Sequence, residues 1–208
     1  PKSGKNYLLV GNHLGMIDIL VTASQVSALF VTSVELRQTA GLGWLAEMSG
    51  CLFVERRSRS NITKELKEIR NVLSQGLSVI LYPEGTSTNG ERVLPFKKTL
   101  MTSAAGTGIA IKPMVLNYRR VNGEPMSAKW RDYVFWYGDQ TFAPALLRFF
   151  SLRSVEVDLE FCQDVIVHSE EERKIVAGQI QSVVVSKYSK IPLLPGEVSP
   201  YSHIPIAE

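Results

Sequence analysis

A chain of 208 residues, 45% apolar and 21% charged, with a formal net charge of +3, can bury roughly 70% of the surface its unfolded form exposes, so its core needs no metal or disulfide staple. Such a composition excludes a disordered chain, and so weak and dispersed a charge does not mark a nucleic-acid binder. No Cys or His pair has zinc spacing, and the longest weakly polar stretch, Ile19–Val34, runs 16 residues, short of the about 20 that a membrane-spanning helix needs.

The chain opens at Pro1 and enters an apolar run by Tyr7, as expected of a fragment, so any N-terminal anchor or targeting segment would lie outside it. Apolar runs of strand length then alternate with segments of helical period. That pattern predicts a single α/β domain with a central mixed sheet covered by helices. Tyr7–Gly11 reads as the first strand, residues from about Ile17 to Val26 as a helix, and Leu29–Thr32 and Leu52–Glu55 as short strands. Ser60 and Asn61 offer a cap for a helix over Ile62–Ser74, in which Ile62, Leu66, Ile69 and Leu73 share one face. Ser78–Tyr82 reads as a buried strand that delivers a polar, turn-rich loop, Pro83–Pro95. Beyond it the pattern predicts a helix over Lys97–Gly106, strands over Ile109–Tyr118, Tyr133–Tyr137 and Val155–Phe161, and a helix over Glu170–Tyr188. Residues 1–190 form the expected domain, and 191–208, with four prolines, an extended arm packed on it. Cys51 and Cys162 sit in apolar stretches and read as buried, reduced thiols. The aromatic-rich span Trp130–Phe150 reads as core, with an acyl-lining or lipid-touching role as the alternative.

Candidate chemistry gathers where strands end. In Asn12-His13-Leu14-Gly15-Met16-Ile17-Asp18, His13 can move a proton near neutral pH and Asp18 can orient its ring. Five residues on a helix would hold the two about 140° apart. They meet only if His13 occupies the turn before the helix, which Gly15 permits; a purely structural pair is the other reading. In Pro83-Glu84-Gly85-Thr86-Ser87, backbone N–H groups and hydroxyls can face an anion or an oxyanion, or simply form a long turn closed by Asn89-Gly90. Glu84 needs partners if it lies deep. Phe96-Lys97-Lys98 brings cations suited to a phosphate, and Arg56, Arg57 and Arg59 follow a strand either as a solvated face or as bidentate anion ligands.

In this order the elements resemble the glycerolipid acyltransferase superfamily, of the 1-acylglycerol-3-phosphate acyltransferase type. The family's N-H-x-x-x-x-D, G-x-x-F-x-x-R, F-P-E-G-T-R-S with a downstream F-K, and x-P-V strand are matched by Asn12-His13 with Asp18, Gly50 and Phe53 with Arg56, Tyr82-Pro83-Glu84-Gly85-Thr86, Phe96-Lys97, and Ile111–Val115. The match spans half the chain. It implies a glycerol-3-phosphate acyltransferase-like fold and transfer of a fatty acyl group from acyl-CoA or acyl-carrier protein to the free hydroxyl of a lysolipid, 1-acylglycerol-3-phosphate first. By the same resemblance His13 is the general base, and Asp18 holds it. Glu84, Gly85 and Thr86 shape the acceptor or oxyanion site, and Arg56 and Lys97 bind a phosphate or other anionic head group. No covalent intermediate, metal or cofactor is implied beyond the acyl donor as co-substrate, and no nucleic acid. The expected place is the cytoplasmic face of a membrane, held peripherally or by an N-terminal segment.

Ser87 stands where the family usually has Arg. The Glu-Gly-Thr-Ser form followed by Leu94-Pro95-Phe96-Lys97 also resembles bacterial lyso-ornithine lipid acyltransferases, so an acceptor without phosphate is the alternative. A hydrolase using Ser87 or Cys51 is disfavoured by the lack of a G-x-S-x-G elbow. A non-catalytic lipid-binding module would leave His13 and Asp18 idle.

Overall fold

Leu8–Gly11 (β1) is buried along its whole length, and a strand buried on both faces requires a neighbour at each edge and cover on each side. The computed structural model, which describes residues 4–37, 39, 42–55 and 61–205, supplies both. β1 pairs in parallel with β4 (Ser78–Leu81) on one edge and β5 (Ile111–Val121) on the other. β2 (Ala28–Ser33) lies outside β4, and β3 (Leu52–Val54) outside β2, again in parallel. Two antiparallel strands, β6 (Glu124–Pro125) and β7 (Val155–Phe161), complete a seven-stranded mixed sheet against β5. Alternate residues feed two cores, Leu8 and Val10 on one face, Tyr7 and Leu9 on the other.

The helices are α1 (Met16–Gln25), α2 (Val34–Arg37), α3 (Leu42–Met48), α4 (Ile62–Ser74), α5 (Arg131–Val134), α6 (Phe142–Phe150) and α7 (Arg173–Lys187). In α4 the apolar stripe buries Ile69 and Leu73 as its period demands, although the Asn61 side chain makes no cap hydrogen bond and Ser60 lies outside the described residues.

Three expectations need correction. Tyr133–Tyr137 forms no strand. The one-turn α5 occupies its start, Phe135 N–H closes that turn on Arg131 C=O (2.7 Å), and Trp136 N–H goes to Leu14 C=O (3.2 Å). The helix expected over Lys97–Gly106 shrinks to a 3₁₀ turn, Leu100–Ala104. The chain before it is held in non-helical form by Lys97 N–H to Pro83 C=O (2.8 Å) and Phe96 N–H to Gln181 Oε1 (3.2 Å). Cys162 is buried but Cys51 only half-buried; both are free thiols, pushed up in pKa by burial.

The proline-rich segment lies along the second half of the Pro83–Pro95 loop. Gly90 C=O accepts from Ile191 N–H and Tyr188 O–H (both 2.9 Å), Asn89 N–H donates to Tyr201 Oη (3.2 Å), and Arg92 reaches the carbonyls of Tyr201 and Ile204. Buried Arg131 meets Glu197 at 2.7 and 2.8 Å. Gly90 sits at φ +83°, and a Cβ there would stand 2.8 Å from Ile191 Cδ1 and Phe135 Cε2. Gly90→Ala is therefore expected to destabilise the protein by roughly 2 kcal/mol or more, measured as a lowered midpoint in urea denaturation.

Candidate active site

β1 and β4 run side by side with Val10 opposite Leu81, so His13 and Glu84, each three residues further on, leave the sheet together. Strand ends in an α/β sheet are where ligands bind. Asn12 keeps the neighbouring edge closed. Its side chain accepts from Leu116 N–H (2.9 Å) and donates to Leu116 C=O (3.0 Å), imitating one more ladder pair with β5.

Glu84 ties the two loops together. It is 4% exposed, and its carboxyl oxygens accept from His13 N–H and Leu94 N–H, both at 2.7 Å. Burial pushes its pKa up to about 8 against the pull of those two donors. Its side chain thus serves the backbone, whereas the sequence expectation gave it to substrate.

His13 sits in the turn before α1, as contact with Asp18 requires. Its Nδ1 lies 2.9 Å from Asp18 Oδ2, and its ring stacks on Tyr82, centroids 4.3 Å apart and planes 11° from parallel. Asp18 is 0% exposed. Its Oδ2 also accepts from Leu14 N–H (2.6 Å) and Gly15 N–H (2.9 Å), and its Oδ1 accepts from Tyr118 O–H (2.8 Å). With Nδ1–H donated to Asp18, the lone pair falls on His13 Nε2. That is the form a general base needs.

His13 borders a cavity of about 310 Å³. Thr86 and Ser87 line it beside Met16 and Ile19 of α1, Trp136 and Phe142. Ser87 O–H is committed to Trp136 C=O. Gly15 lets the two segments close up, since a Cβ there would lie 2.6 Å from Trp136 N. A second cavity, about 480 Å³, is lined by Tyr82, Gly85 and Lys97 and also by Glu55 and Glu65. Gly85 has φ +74°, and a Cβ would meet Lys97 Nζ at 2.5 Å, so the lysine side chain crosses directly over that glycine.

The structure therefore brings His13 and Thr86 to the first cavity, buries Asp18 behind the His13 ring, places Gly85 and Lys97 in the second cavity, and sets Glu84 between the loops. Arg56 lies outside the described residues, as do Arg57 and Arg59. Tyr118 carries no sequence signal, while Asn12 is read only as part of the N-H-x-x-x-x-D match and Trp136 only as part of the aromatic span, neither with a role at the site. Asn12 at least carried a signal, a buried amide at a strand end next to the histidine.

Glu84 yields a test. A carboxyl whose folded pKa exceeds its ordinary 4.5 contributes stability that is full below that value and lost as the pH rises through about 8. Glu84→Gln removes the titration but sets an amide NH₂ against a backbone N–H. Urea denaturation is expected to show the variant less stable than wild type at pH 5, by about 1–3 kcal/mol, with the gap narrowing at pH 9.

Comparison with known proteins agrees with this geometry. Residues 1–117 match the family described as Acyltransferase. The chain is 33% identical over 184 residues to a lyso-ornithine lipid O-acyltransferase of Brucella abortus, covering 85% of this chain and 69% of that protein. It is 32% identical over 180 residues to the lyso-ornithine lipid O-acyltransferase of Rhizobium meliloti, covering 83% and 62%. A 1-acyl-sn-glycerol-3-phosphate acyltransferase of Neisseria gonorrhoeae is 23% identical over 184 residues, covering 88% and 70%. The chain thus spans less than two thirds of the Rhizobium protein's own length. In fold it resembles the crystal structure of the 1-acyl-sn-glycerophosphate (LPA) acyltransferase PlsC from Thermotoga maritima, with a TM-score of 0.56, 22% identity, and 93% and 70% of the two chains covered. By its matched region, by its relatives and by the order of its motifs, the chain belongs to the acyltransferase family.

Proposed function

We propose that this chain transfers a fatty acyl group from a thioester, acyl-CoA or acyl-carrier protein, to the hydroxyl of a lysolipid, and that the acceptor is a lyso-ornithine lipid. The observation that carries the reading is His13, oriented by Asp18 and covered by the Tyr82 ring, at the border of a cavity large enough for reacting groups. Sequence alone put 1-acylglycerol-3-phosphate first. Two considerations favour the other acceptor: Ser87 replaces the arginine usual after Glu-Gly-Thr, and the relatives at 33% and 32% identity are named for lyso-ornithine lipid.

In this mechanism His13 Nε2 takes the hydroxyl proton while the acceptor oxygen attacks the thioester carbonyl. Asp18 stabilises the imidazolium, and the tetrahedral intermediate collapses with the thiolate leaving. That thiolate, or the thiol it becomes, takes the proton back from His13. Thr86 and the adjoining Gly85-Thr86-Ser87 backbone are the nearest donors for the oxyanion. Lys97 and Arg56 hold an anionic group of donor or acceptor. The acyl donor is a co-substrate and no cofactor takes part. Since acceptor and product are lipids, the work belongs at a membrane surface, on its cytoplasmic face where such thioesters are made. Among the described residues no helix is long and apolar enough to cross a membrane.

Thiol release from palmitoyl-CoA and from acyl-carrier protein, with lyso-ornithine lipid or lysophosphatidic acid added, tests the reading. Release should depend on lyso-ornithine lipid and fall by about 10²–10⁴-fold in His13→Ala. Release independent of any acceptor would make the chain a thioester hydrolase, and near-wild-type turnover in folded His13→Ala would remove the histidine from the chemistry. Tyr118→Phe deletes one donor to Asp18 and is expected to lower kcat by roughly tenfold with little change in either KM. An unchanged kcat would show that the three remaining donors suffice.

A further inference from the structure

Surface helices normally turn a polar face to water, and α6 does not. Its sequence, FAPALLRFF, contains one charged residue and no hydroxyl or amide side chain. Ala145 is its buried anchor, while Ala143, Pro144, Leu147 and Phe150 point outward. Leu147 and Phe150 are each 70% exposed, and Leu20 of α1 is 60% exposed. These side chains belong to one surface. Between α1 and the end of α6 lies a cleft of about 330 Å³ whose lining includes Ile17, Leu20, Val21, Phe149 and Phe150. Among the described residues, those that line it with polar side chains are Arg153 and Ser154, and none is a carboxylate.

The same two elements reach the active site. Phe142 opens α6 and Met16 and Ile19 belong to α1, and all three line the His13 cavity. The apolar surface therefore runs from the cavity along a helix about 13 Å long. We propose that this face, α6 with Leu20 and the adjoining cleft, docks on an anionic lipid leaflet and presents the His13 cavity to lipids held there. The proposal rests on the reading of the chain as a lipid acyltransferase.

Lipid suits the face better than protein does. Protein interfaces ring an apolar centre with hydrogen-bonding groups, and here the polar complement is little more than two arginines. Arg148 is half-buried against Gln140, while Arg153 is exposed and makes no ion pair among the described residues. Leucine and phenylalanine facing outward beside arginine, without acid, is the composition of a helix that lies in a membrane interface and senses anionic lipid.

The test is cosedimentation of this chain, without acyl donor, with vesicles of phosphatidylcholine or of phosphatidylcholine mixed with phosphatidylglycerol. Wild type should bind the mixed vesicles. Leu147→Ser with Phe150→Ser should weaken binding by at least about tenfold, and Arg153→Gln by about fivefold on the mixed vesicles alone. Ile175→Ser, a 66% exposed residue of α7 outside this face, should bind as wild type does. Thermal melting checks that each variant folds. Equal binding by wild type and the double variant, or no binding by wild type, overturns the proposal. So does a wild-type dimer, seen by sedimentation equilibrium, that the double variant dissolves, because the face would then join two copies. Sensitive vesicle binding with no acyl transfer to any acceptor would sink the functional reading and leave the surface standing. Acyl transfer accompanied by vesicle binding that the double variant leaves intact would do the reverse.

Discussion

A carboxylate taken wholly out of water must be met by donors at nearly every lone pair, because an uncompensated buried charge is too costly to keep. Asp18 meets that condition with Leu14 N–H, Gly15 N–H, the His13 ring and Tyr118 O–H. Each donor fixes something different. The two backbone groups shape the turn that precedes α1, the imidazole is held in one tautomer, and the phenol draws the far end of β5 to the start of α1. Asn12, pairing with Leu116 through its side chain, carries the same register from the other direction. The orientation of His13, the helix start and the contact of β5 with α1 thus meet at one desolvated group.

Glu84 is a second buried carboxyl a short way off, and its different partners give it a different task. Asp18 faces an imidazole and orients it; Glu84 faces two main-chain N–H groups and ties together the loops they come from. Burial drives the Glu84 carboxyl toward its neutral form. Tyr82 stands between the two cavities, covering His13 with its ring while lining the space that contains Lys97. His13 and Lys97 thus border different cavities, the first stacked on the Tyr82 ring and the second sharing with it the space that it lines.

What could be read from sequence follows the range of the forces involved. α4 was legible to its ends, Ile62 and Ser74, because its apolar stripe and charged face are both local patterns. The α/β architecture, and the pairing of His13 with Asp18 before a glycine turn, were legible for similar reasons. Tyr133–Tyr137 misled because aromatic residues favour strands, while the backbone there is claimed by Arg131 and Leu14. α6 escaped because it is short, carries Pro144 in its first turn and is rich in phenylalanine, which reads as readily as strand or irregular core. Tyr118 lies 100 residues from Asp18, and their contact is set by strand order. Nothing near either residue announces it.

The contacts of the Pro83–Pro95 loop have a consequence for the order of events in folding. Its first half is closed by His13 and Leu94, but its second half is closed by Tyr188, Ile191 and Tyr201. The Asn89–Tyr201 hydrogen bond joins residues 112 apart in sequence, and contacts of such separation form late because a long loop must close first. During synthesis, which delivers the N-terminal part first, the sheet and the His13–Asp18 pair can assemble while Asn89 and Gly90 still lack their partners. The half of the loop that carries Asn89 and Gly90 gains these partners only after Tyr188, Ile191 and Tyr201 have been added to the chain.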